Sequence, residues 1–404
     1  MHEGQLDVTG GVDTHGAQHV AAAVDAAGRI LGTAAFTADA AGYRRLLEWM
    51  RSFGPVARAG VEGTGSYGAG LARYLAAQGV PVAEVNRPNR QARRRRGKSD
   101  PADAEAAARA ALNGDASGLP KAADGPVEAI RALRVARRSA MKARTQAANQ
   151  IRDLVLTAPD DLRARLSGLG TGARVRACAG LRPGPACRRP AQAVRQALRC
   201  LARRHQALSA EIGELDASIA RLCQQAAPAL LAARGVGPEV ASALLIAAGD
   251  NPGRLRTEAS FAALCGASPV EASSGQVTRH RLNRAGNREA NNALWRIAMV
   301  RLTCDQRTRD YAARRRAEGK TDREVIRCLK RYIAREVYKL ITGPPPVIDG
   351  AGLRAARTAA GITLATAAGQ LGTWPIRVSE LERGLKHDAG LARRYRKWLD
   401  QNTA

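Results

Sequence analysis

The order of strand-like and helix-like segments over residues 6–112 constrains the fold more than any other feature of this chain. Three short runs rich in Val and Ala come first, and DAAG at 25–28 is typical of a hairpin turn between the last two. Two strand–helix units and an Ala-rich helix follow. The predicted strands are Val8–Asp13, His19–Val24, Ile30–Phe36, Ala57–Glu62 and Val80–Val85, and the predicted helices are Ala40–Ser52, Tyr67–Gln78 and Asp100–Leu112. An antiparallel meander followed by β-α-β units predicts a mixed sheet in an α/β domain.

This order is that of the RNase H-like fold, and four acidic residues lie where a metal-dependent nuclease of that fold needs them. Asp13 ends the first predicted strand and Glu62 ends the fourth. Asp100 and Asp103 lie three apart near the start of the last helix, so they share one face. Mg²⁺ ions that clamp a phosphodiester need several hard oxygen ligands. Each acid alone is also explained as a helix cap or a surface residue, whereas the set in this order predicts a metal site.

Residues 63–68, GTGSYG, offer a competing interpretation. They match the G-x-G-x-x-G pattern after a strand and before a helix, and Glu84 ends the next strand about twenty residues later, as in a dinucleotide-binding site. Two observations disfavour this reading. Glu62 would direct a carboxylate at the bound pyrophosphate. The chain also carries 64 Lys and Arg against 36 Asp and Glu, a net charge of +28, for which an NAD-dependent enzyme has no use.

The positive charge is spread along the chain and indicates polyanionic partners, because neutralising phosphates releases their counterions. The seven cysteines include no Cys-x-x-Cys pair, so we expect reduced thiols rather than a zinc site or disulfide bonds. No apolar run approaches the ~20 residues of a membrane span, and the N-terminus lacks the pattern of a signal peptide. We therefore expect no membrane partner and a cytoplasmic location.

Residues 127–222 have a strand-poor, helical pattern with two apolar stripes. The first stripe, Ile130 to Leu154, is mostly alanine, and the second, Leu201 to Leu222, has the spacing of a heptad seam. A stretch broken by Gly and Pro, Ser167–Pro190, separates them. Two arrangements satisfy these stripes: an antiparallel helical hairpin within one chain, or a coiled coil between two chains.

Residues 228–342 form a second helical region, which contains a Ser-Ser-Gly loop. Residues 230–249 have the pattern helix, Gly-Val-Gly turn, helix, which either presents backbone amides to a phosphate or simply connects two helices. Ser274 in the loop and the arginines after it suit attack on phosphorus, because guanidinium groups neutralise developing oxygen charge. Loops of this composition are also common without a function. The predicted phosphate-binding arginines are Arg93, Arg94, Arg95, Arg96, Arg279, Arg281, Arg284 and Arg288.

Several segments together resemble the IS110 family of insertion-sequence transposases. These are GVDTHGAQHV, GVEGTGSY, KSDPADAEAAA, RGVGPEVASALL and FAALCGASPVEASSGQVTRHRLNRAGN, and the resemblance runs from about residue 8 to 342. It implies a RuvC-like N-terminal domain whose DEDD carboxylates bind Mg²⁺, and these fall here on Asp13, Glu62, Asp100 and Asp103. It also implies a C-terminal transposase domain whose serine becomes covalently joined to DNA. That serine is Ser274 here, with the adjacent Ser273 as the alternative.

The same resemblance implies the partners of the protein. These are donor and target DNA, further copies of the chain in a synaptic homo-oligomer (a dimer or a tetramer), and a structured non-coding bridge RNA that pairs with both DNAs. It further implies a coiled-coil connector and a prokaryotic, nucleoid-associated protein.

Residues 352–400 lie outside the family pattern and resemble a Cro-type helix-turn-helix. The second helix is predicted over 363–371, the turn at Gly372, and Pro375 opens the third helix. In such a module the residues that face the major groove would be Thr373, Trp374, Ile376 and Arg377. A folded cap or a protein-contact module is the alternative.

These features predict four domains. They are an α/β RNase H-like (RuvC-like) nuclease domain (1–120), an α-helical coiled-coil connector (121–227), a mainly α-helical serine transposase domain (228–343) and a small helix-turn-helix tail (347–404). The predicted function is a DNA transposase that excises and inserts its own element. A metal-only nuclease of the Holliday-junction type would need the carboxylates but not Ser274, and a non-catalytic DNA-binding regulator would need neither.

Overall fold

A computed structural model describes residues 7–85, 99–116, 118–184, 189–275, 280–284, 286–343, 350–383 and 388–402. The chain divides into two compact units. The first unit consists of residues 1–123 with 251–256, and the second consists of residues 124–250 with 257–404. The predicted four-domain boundaries are finer than this division and stay a prediction.

The first unit contains the predicted mixed sheet. Its strands are β1 (Val8–Thr14), β2 (Gln18–Val24), β3 (Ile30–Thr37), β4 (Val56–Glu62) and β5 (Val82–Val85), in the order β3-β2-β1-β4-β5. β1, β2 and β3 pair antiparallel, and β4 and β5 continue the sheet in parallel with β1. The predicted turn between β2 and β3 is present because the Asp25 carboxylate accepts the backbone N–H groups of Ala27 and Arg29, both at 2.9 Å. This sheet confirms the predicted α/β class.

One strand boundary differs from the prediction by two residues, and the others agree to within one residue. β5 begins at Val82 rather than Val80, because Val80 belongs to the turn that ends the preceding helix. Its N–H donates to the carbonyl of Leu75 at 2.9 Å, and Gly79 has a φ of 77°. Such a left-handed glycine with a bond back into the last turn is a common way to end a helix, so Val80 is unavailable to the sheet.

Three α-helices of this unit are described: α1 (Ala40–Arg51), α2 (Ala69–Ala77) and α3 (Asp100–Leu112). α1 begins after Asp39, whose carboxylate accepts the N–H of Gly42 at 2.7 Å. Its apolar face, with Leu46, Leu47 and Met50, is fully buried against the sheet. α3 packs on β1, β2 and β4.

The second unit is helical apart from a short hairpin, within the described residues. Its first helices are α4 (Pro126–Leu156), α5 (Asp160–Leu166), α6 (Thr171–Ala179), α7 (Pro190–Ala226), α8 (Pro228–Ala232) and α9 (Pro238–Ala248). After these come α10 (Glu258–Leu264), β6 (Val270–Glu271), β7 (His280–Arg281), α11 (Arg288–Cys304), α12 (Gln306–Ala317) and α13 (Asp322–Thr342). The tail helices are α14 (Gly350–Ala359), α15 (Leu364–Gln370), α16 (Pro375–Glu382) and α17 (Ala389–Asn402).

The two long helices, α4 and α7, pack along each other within one chain. Arg137 of α4 donates to Asp216 of α7 (Nη2 to Oδ2 3.2 Å). Farther along α4, Ile151 shares a buried cluster with Leu198 from the beginning of α7. Residues later in α4 thus contact residues earlier in α7, so the two helices are antiparallel. The intrachain hairpin, one of the two arrangements that the stripes allow, is therefore present, and a coiled coil between two chains stays a prediction.

The stretch predicted as a break between these helices, Ser167–Pro190, contains a helix of its own. α6 places Val175 and Cys178 in the same buried cluster as Ile151. Gly170 precedes its first residue, Gly172 lies in its first turn and Gly180 follows its last residue. Gly170 and Gly180 therefore mark the boundaries of this helix.

The tail helices form a separate core around Leu353, Val378 and Tyr395. The predicted helix over 363–371 is observed as α15, and Pro375 opens α16 as predicted. Within the described residues no helix combines the length and apolar composition needed to cross a membrane. The six cysteines among those residues form no disulfide bond with one another.

Candidate functional site

Asp13 and Glu62 lie side by side at the ends of the two central strands. β1 and β4 are parallel, and Val12 is the register partner of Val61, so the next residue on each strand points to the same face of the sheet. The Thr14 hydroxyl donates to the Glu62 carbonyl at 2.9 Å and joins the two strand ends. The side chain of Asp13 is largely buried, with 7% of the residue exposed.

Two glycines allow α3 to lie directly on the sheet. A Cβ at Gly11 would be 2.1 Å from the backbone nitrogen of Ala108 and 2.2 Å from the Ala104 carbonyl oxygen. A Cβ at Gly60 would be 2.4 Å from the carbonyl oxygen of Ala107. With helix residues 104–108 over the middle of β1, the helix start extends toward the end of that strand. This contact positions the acidic first turn of α3.

The structure brings Asp13 and Asp100 together and adds His15. The His15 Nε2 atom lies 3.2 Å from Asp13 Oδ2 and 3.5 Å from Asp100 Oδ1. One ligand atom from each of these three residues falls within 4.8 Å of the others, and among the described residues this is the group of potential metal ligands. Asp103 is buried, 6% exposed, on the sheet side of α3, and neither Asp103 nor Glu62 joins the group.

These residues fit a divalent cation. Two carboxylates that converge this closely repel each other by roughly 3 kcal/mol in a medium of intermediate dielectric, and a cation between them converts the repulsion into attraction. Carboxylate oxygens are the ligands that hard divalent ions prefer. The DEDD nuclease type thus agrees with the arrangement of Asp13 and Asp100.

The sequence interpretation did not select His15. The signal was present, because His15 follows Asp13 by two residues at a strand end, and alternate residues of a strand share a face.

Nearby, His19 is buried and stacks on Tyr43 with ring centroids 5.6 Å apart. Burial lowers the pKa of His19, so this imidazole is neutral at pH 7.

Ser274 lies in the connection of the short β6–β7 hairpin. Val270 pairs with Arg281 and Glu271 pairs with His280. Ser274 is exposed, and Gly275 after it has a φ of 57°, a conformation that favours glycine. The hairpin thus presents the predicted serine on the surface. The neighbouring Ser273, the alternative serine, is also exposed.

The segments that flank the hairpin are held by a polar network. A Cβ at Gly286 would be 2.1 Å from the backbone nitrogen of Gly266, so these two backbones touch. The Asn291 amide donates to the carbonyl oxygens of Cys265 (2.8 Å) and Gly266 (3.1 Å), and Lys330 Nζ donates to Asn291 Oδ1 at 2.9 Å. Burial raises the pKa of the Cys265 thiol to about 12, so it is not a nucleophile at neutral pH.

The predicted nucleic-acid-binding residues fall into three groups. Arg281 in β7 of the hairpin is exposed, as are Arg284 and Arg288 after it. In the tail, Trp374 is 76% exposed and Arg377 is exposed on the first turn of α16. The others, Arg93, Arg94, Arg95, Arg96 and Arg279, lie outside the described residues.

The Gly-Val-Gly segment behaves as a connection between helices. α9 begins at Pro238, and Glu239 lies in its first turn. Glu239 forms ion pairs with Arg134 (3.3 Å) and Arg137 (3.4 Å) of α4. An acidic first turn that is already paired favours the structural interpretation over a phosphate site at this helix start.

Comparison with known families adds two matches, in chain order. Residues 10–158 match a family model described as transposase, of the DEDD type of IS110, and residues 227–313 match the transposase IS116/IS110/IS902 family. The first match includes all four predicted carboxylates, and the second includes Ser274.

A curated relative agrees with these matches. The chain is 33% identical over 105 residues to a protein of Streptomyces coelicolor named as an uncharacterized 43.6 kDa protein of insertion element IS110. The alignment spans about a quarter of this relative's length (26%) and the same share of the present chain. The two family models together match more than half of the chain, in the order in which its two motif regions occur. The chain belongs to the IS110 family of transposases.

Proposed function

We propose that this protein is a DNA transposase that cuts and rejoins DNA to excise and insert its own insertion sequence. The observation that carries the proposal is the convergence of Asp13 and Asp100 at the end of the central strands, with one carboxylate oxygen of each within 4.8 Å of the other. The chain also belongs to a transposase family. The catalytic residues are Asp13, Glu62, Asp100, Asp103 and Ser274.

The metal would be Mg²⁺, held by Asp13 and Asp100, whose ligand atoms converge, together with Glu62 and Asp103 of the same DEDD set. When bound, it would polarise the phosphate and stabilise charge on the attacking and leaving oxygens. The imidazole of His15 supplies a nitrogen, a donor that Mg²⁺ disfavours. We therefore assign His15 a hydrogen-bonding role that orients Asp13, whose Oδ2 lies 3.2 Å from His15 Nε2.

Ser274 is the nucleophile. Its Oγ attacks phosphorus, the bond between phosphorus and the leaving oxygen breaks, the hydroxyl proton passes to a base, and the leaving oxygen is protonated. The product is a serine–DNA phosphodiester. A DNA hydroxyl then attacks the phosphorus of this adduct, which forms the new DNA junction and releases the serine hydroxyl. A serine hydroxyl is a poor nucleophile without activation, so Ser274 needs a base that takes its proton and a cation or guanidinium group that polarises the phosphate.

The proposed partners follow from family membership and charge. Donor and target DNA, a homo-oligomer of two or four chains, and a structured bridge RNA complete the assembly. The net charge of +28 suits such partners. The four-domain division and the DNA-binding role of the helix-turn-helix tail remain part of the proposal, with Trp374 and Arg377 at the DNA.

The test is to trap the covalent adduct. The full-length protein is incubated in Mg²⁺ with DNA that contains the gene's own flanking sequence and with RNA transcribed from those flanks, and the reaction is stopped in denaturant. We expect a protein–DNA adduct that mass spectrometry maps to Ser274. Ser274→Ala should abolish the adduct, whereas the matched neighbour Ser273→Ala should form it.

The same reaction separates the alternatives. Asp13→Ala should retain DNA binding and lose cleavage, because the remaining carboxylates no longer hold the cation once the Asp13 carboxylate is removed. Cleavage by Ser274→Ala at the wild-type rate would instead establish a metal-only nuclease. DNA binding without cleavage in every variant and in the wild type would favour the regulator.

A further inference from the structure

A basic groove lies beside the serine hairpin, on helices α12 and α13. Its first part is a cleft of about 540 Å³, whose lining includes His280 and Arg281 of β7. Among the described residues that line it, eight are Lys or Arg and one, Glu324, is acidic. Arg327, Arg331 and Arg335 follow one another at four-residue spacing, so they form a stripe along one face of α13. Glu258 pairs with Arg331 (3.6 Å) and Arg335 (2.8 Å) and neutralises one of these three charges. This surface has the charge to hold a polyanion.

Two tyrosines stand in the middle of the groove. Tyr311 and Tyr332 meet edge to face with ring centroids 5.4 Å apart, and Tyr332 is 54% exposed. The guanidinium of Arg314 lies 5.4 Å from the centre of the Tyr311 ring. A second cleft of about 1270 Å³ shares both tyrosines with the first, so the groove continues past them. An exposed aromatic ring within a basic groove is the pattern of sites that stack an unpaired base.

Lys330 adds an independent observation. Its side chain lines the same cleft, yet the residue is only 8% exposed. Among the described residues its hydrogen-bond partner is the neutral Asn291. Burial and the nearby charge of Arg327 lower the pKa of Lys330. A buried ammonium group without a carboxylate partner is costly, and an anion in the cleft would offset that cost.

We infer that this groove binds an unpaired DNA strand, with its phosphates on the basic stripe and a base stacked on Tyr332. A rigid duplex buries its bases and so cannot use the tyrosine, whereas an unpaired strand can. The commitment to DNA rests on the proposed function, because the groove begins at the hairpin that carries Ser274. The strand in the groove is then the one that continues from the attacked phosphate.

The experiment measures binding of three labelled probes by fluorescence anisotropy at several salt concentrations, with the full-length protein. The probes are a single-stranded DNA of mixed sequence, the RNA of the same sequence, and the DNA duplex. Tyr332→Ala should weaken binding of the single-stranded DNA about tenfold, the size expected for one stacked base, and leave duplex binding unchanged. Tyr332→Phe keeps the ring and should bind as the wild type does.

Charge variants test the phosphate contacts separately. Arg314→Ala combined with Arg327→Ala should reduce the salt slope for single-stranded DNA by about 1.4, or about 0.7 for each lost phosphate contact. The matched control is Arg163→Ala with Arg165→Ala on α5, which removes the same charge from exposed positions and should leave the slope unchanged. Because Tyr332, Arg314 and Arg327 are exposed, the unfolding temperature should not move in any of these variants.

Three outcomes would overturn the inference. They are wild-type binding by Tyr332→Ala, an equal loss for single-stranded DNA and duplex, and tighter binding of RNA than of DNA that depends on Tyr332. The proposed function fails differently. Suppose that Ser274→Ala and the wild type bind the strand equally, but that neither the wild type nor any variant yields an adduct. That result would support the binding groove and contradict the serine mechanism.

Discussion

Replacing Gly11 by alanine tests whether the packing of α3 on β1 positions the metal site. The new Cβ would lie 2.1 Å from the Ala108 nitrogen and 2.2 Å from the Ala104 oxygen, and both are backbone atoms that no rotamer change can move. Ordinary van der Waals contact begins at 3.4 Å. Since the new Cβ would lie at 2.1 Å, α3 must move away from β1 by about 1.3 Å. Overpacking of this kind costs about 1–3 kcal/mol of folding free energy.

The consequence for activity is larger than the consequence for stability. α3 carries Asp100 and Asp103, and a misplacement of about 1 Å at a reacting centre costs on the order of a hundredfold in rate. We expect Gly11→Ala to lower the urea midpoint of unfolding modestly and to slow Mg²⁺-dependent DNA cleavage by roughly that factor. Single-stranded DNA binding should be unchanged.

Gly65→Ala is the matched control, because it makes the same substitution near the same strand ends. A Cβ at Gly65 meets nothing within 4 Å, so this variant should cleave DNA normally. Its stability should be equal or slightly higher, because alanine reduces the entropy of the unfolded chain. If Gly11→Ala unfolds and cleaves as the wild type does, α3 does not rest on β1 and cannot be the element that positions Asp100.

The remaining predictions concern structural contacts outside the catalytic site. Asp250 accepts the N–H groups of Val127 (2.7 Å) and Glu128 (3.1 Å) at the start of α4, so Asp250→Ala should cost about 1 kcal/mol in urea unfolding. Arg357 pairs with the buried Glu382 at 2.7 Å, and Arg357→Ala should make the tail sensitive to limited proteolysis, because it leaves a buried charge unpaired, at a cost of about 3–5 kcal/mol. Burial alone would raise the pKa of Glu382, but the hydrogen bonds from Arg357 hold it below the ordinary 4.5. The pair's stabilisation should therefore be complete above pH 4.5 and disappear as the pH falls through the lowered pKa, which proteolysis of the tail at graded pH, with an acid-active protease, would detect.

Much of the fold follows from local pattern. The meander and the β-α-β units were predictable because alternation, turn residues such as Asp25 and a proline in the first turn of α3 act within a few residues of each other. The same holds for Asp13 and Asp100 as candidate ligands, since both lie at the ends of predicted elements. The start of β5 was wrong by two residues, because the bond from Val80 to Leu75 that ends α2 has no signature in the strand pattern.

What the sequence by itself determined is therefore the type and order of the elements, the excess of positive charge, and the short motifs that carry the carboxylates and Ser274. Tertiary structure alone decided which distant residues meet. It paired α4 with α7 in one chain, placed α3 on Gly11 and Gly60, and joined His15 to Asp13 and Asp100. An apolar stripe predicts that a helix face is buried but not which segment packs on it. A glycine likewise does not indicate which backbone will approach it. These contacts depend on packing between segments tens of residues apart, which no local pattern encodes.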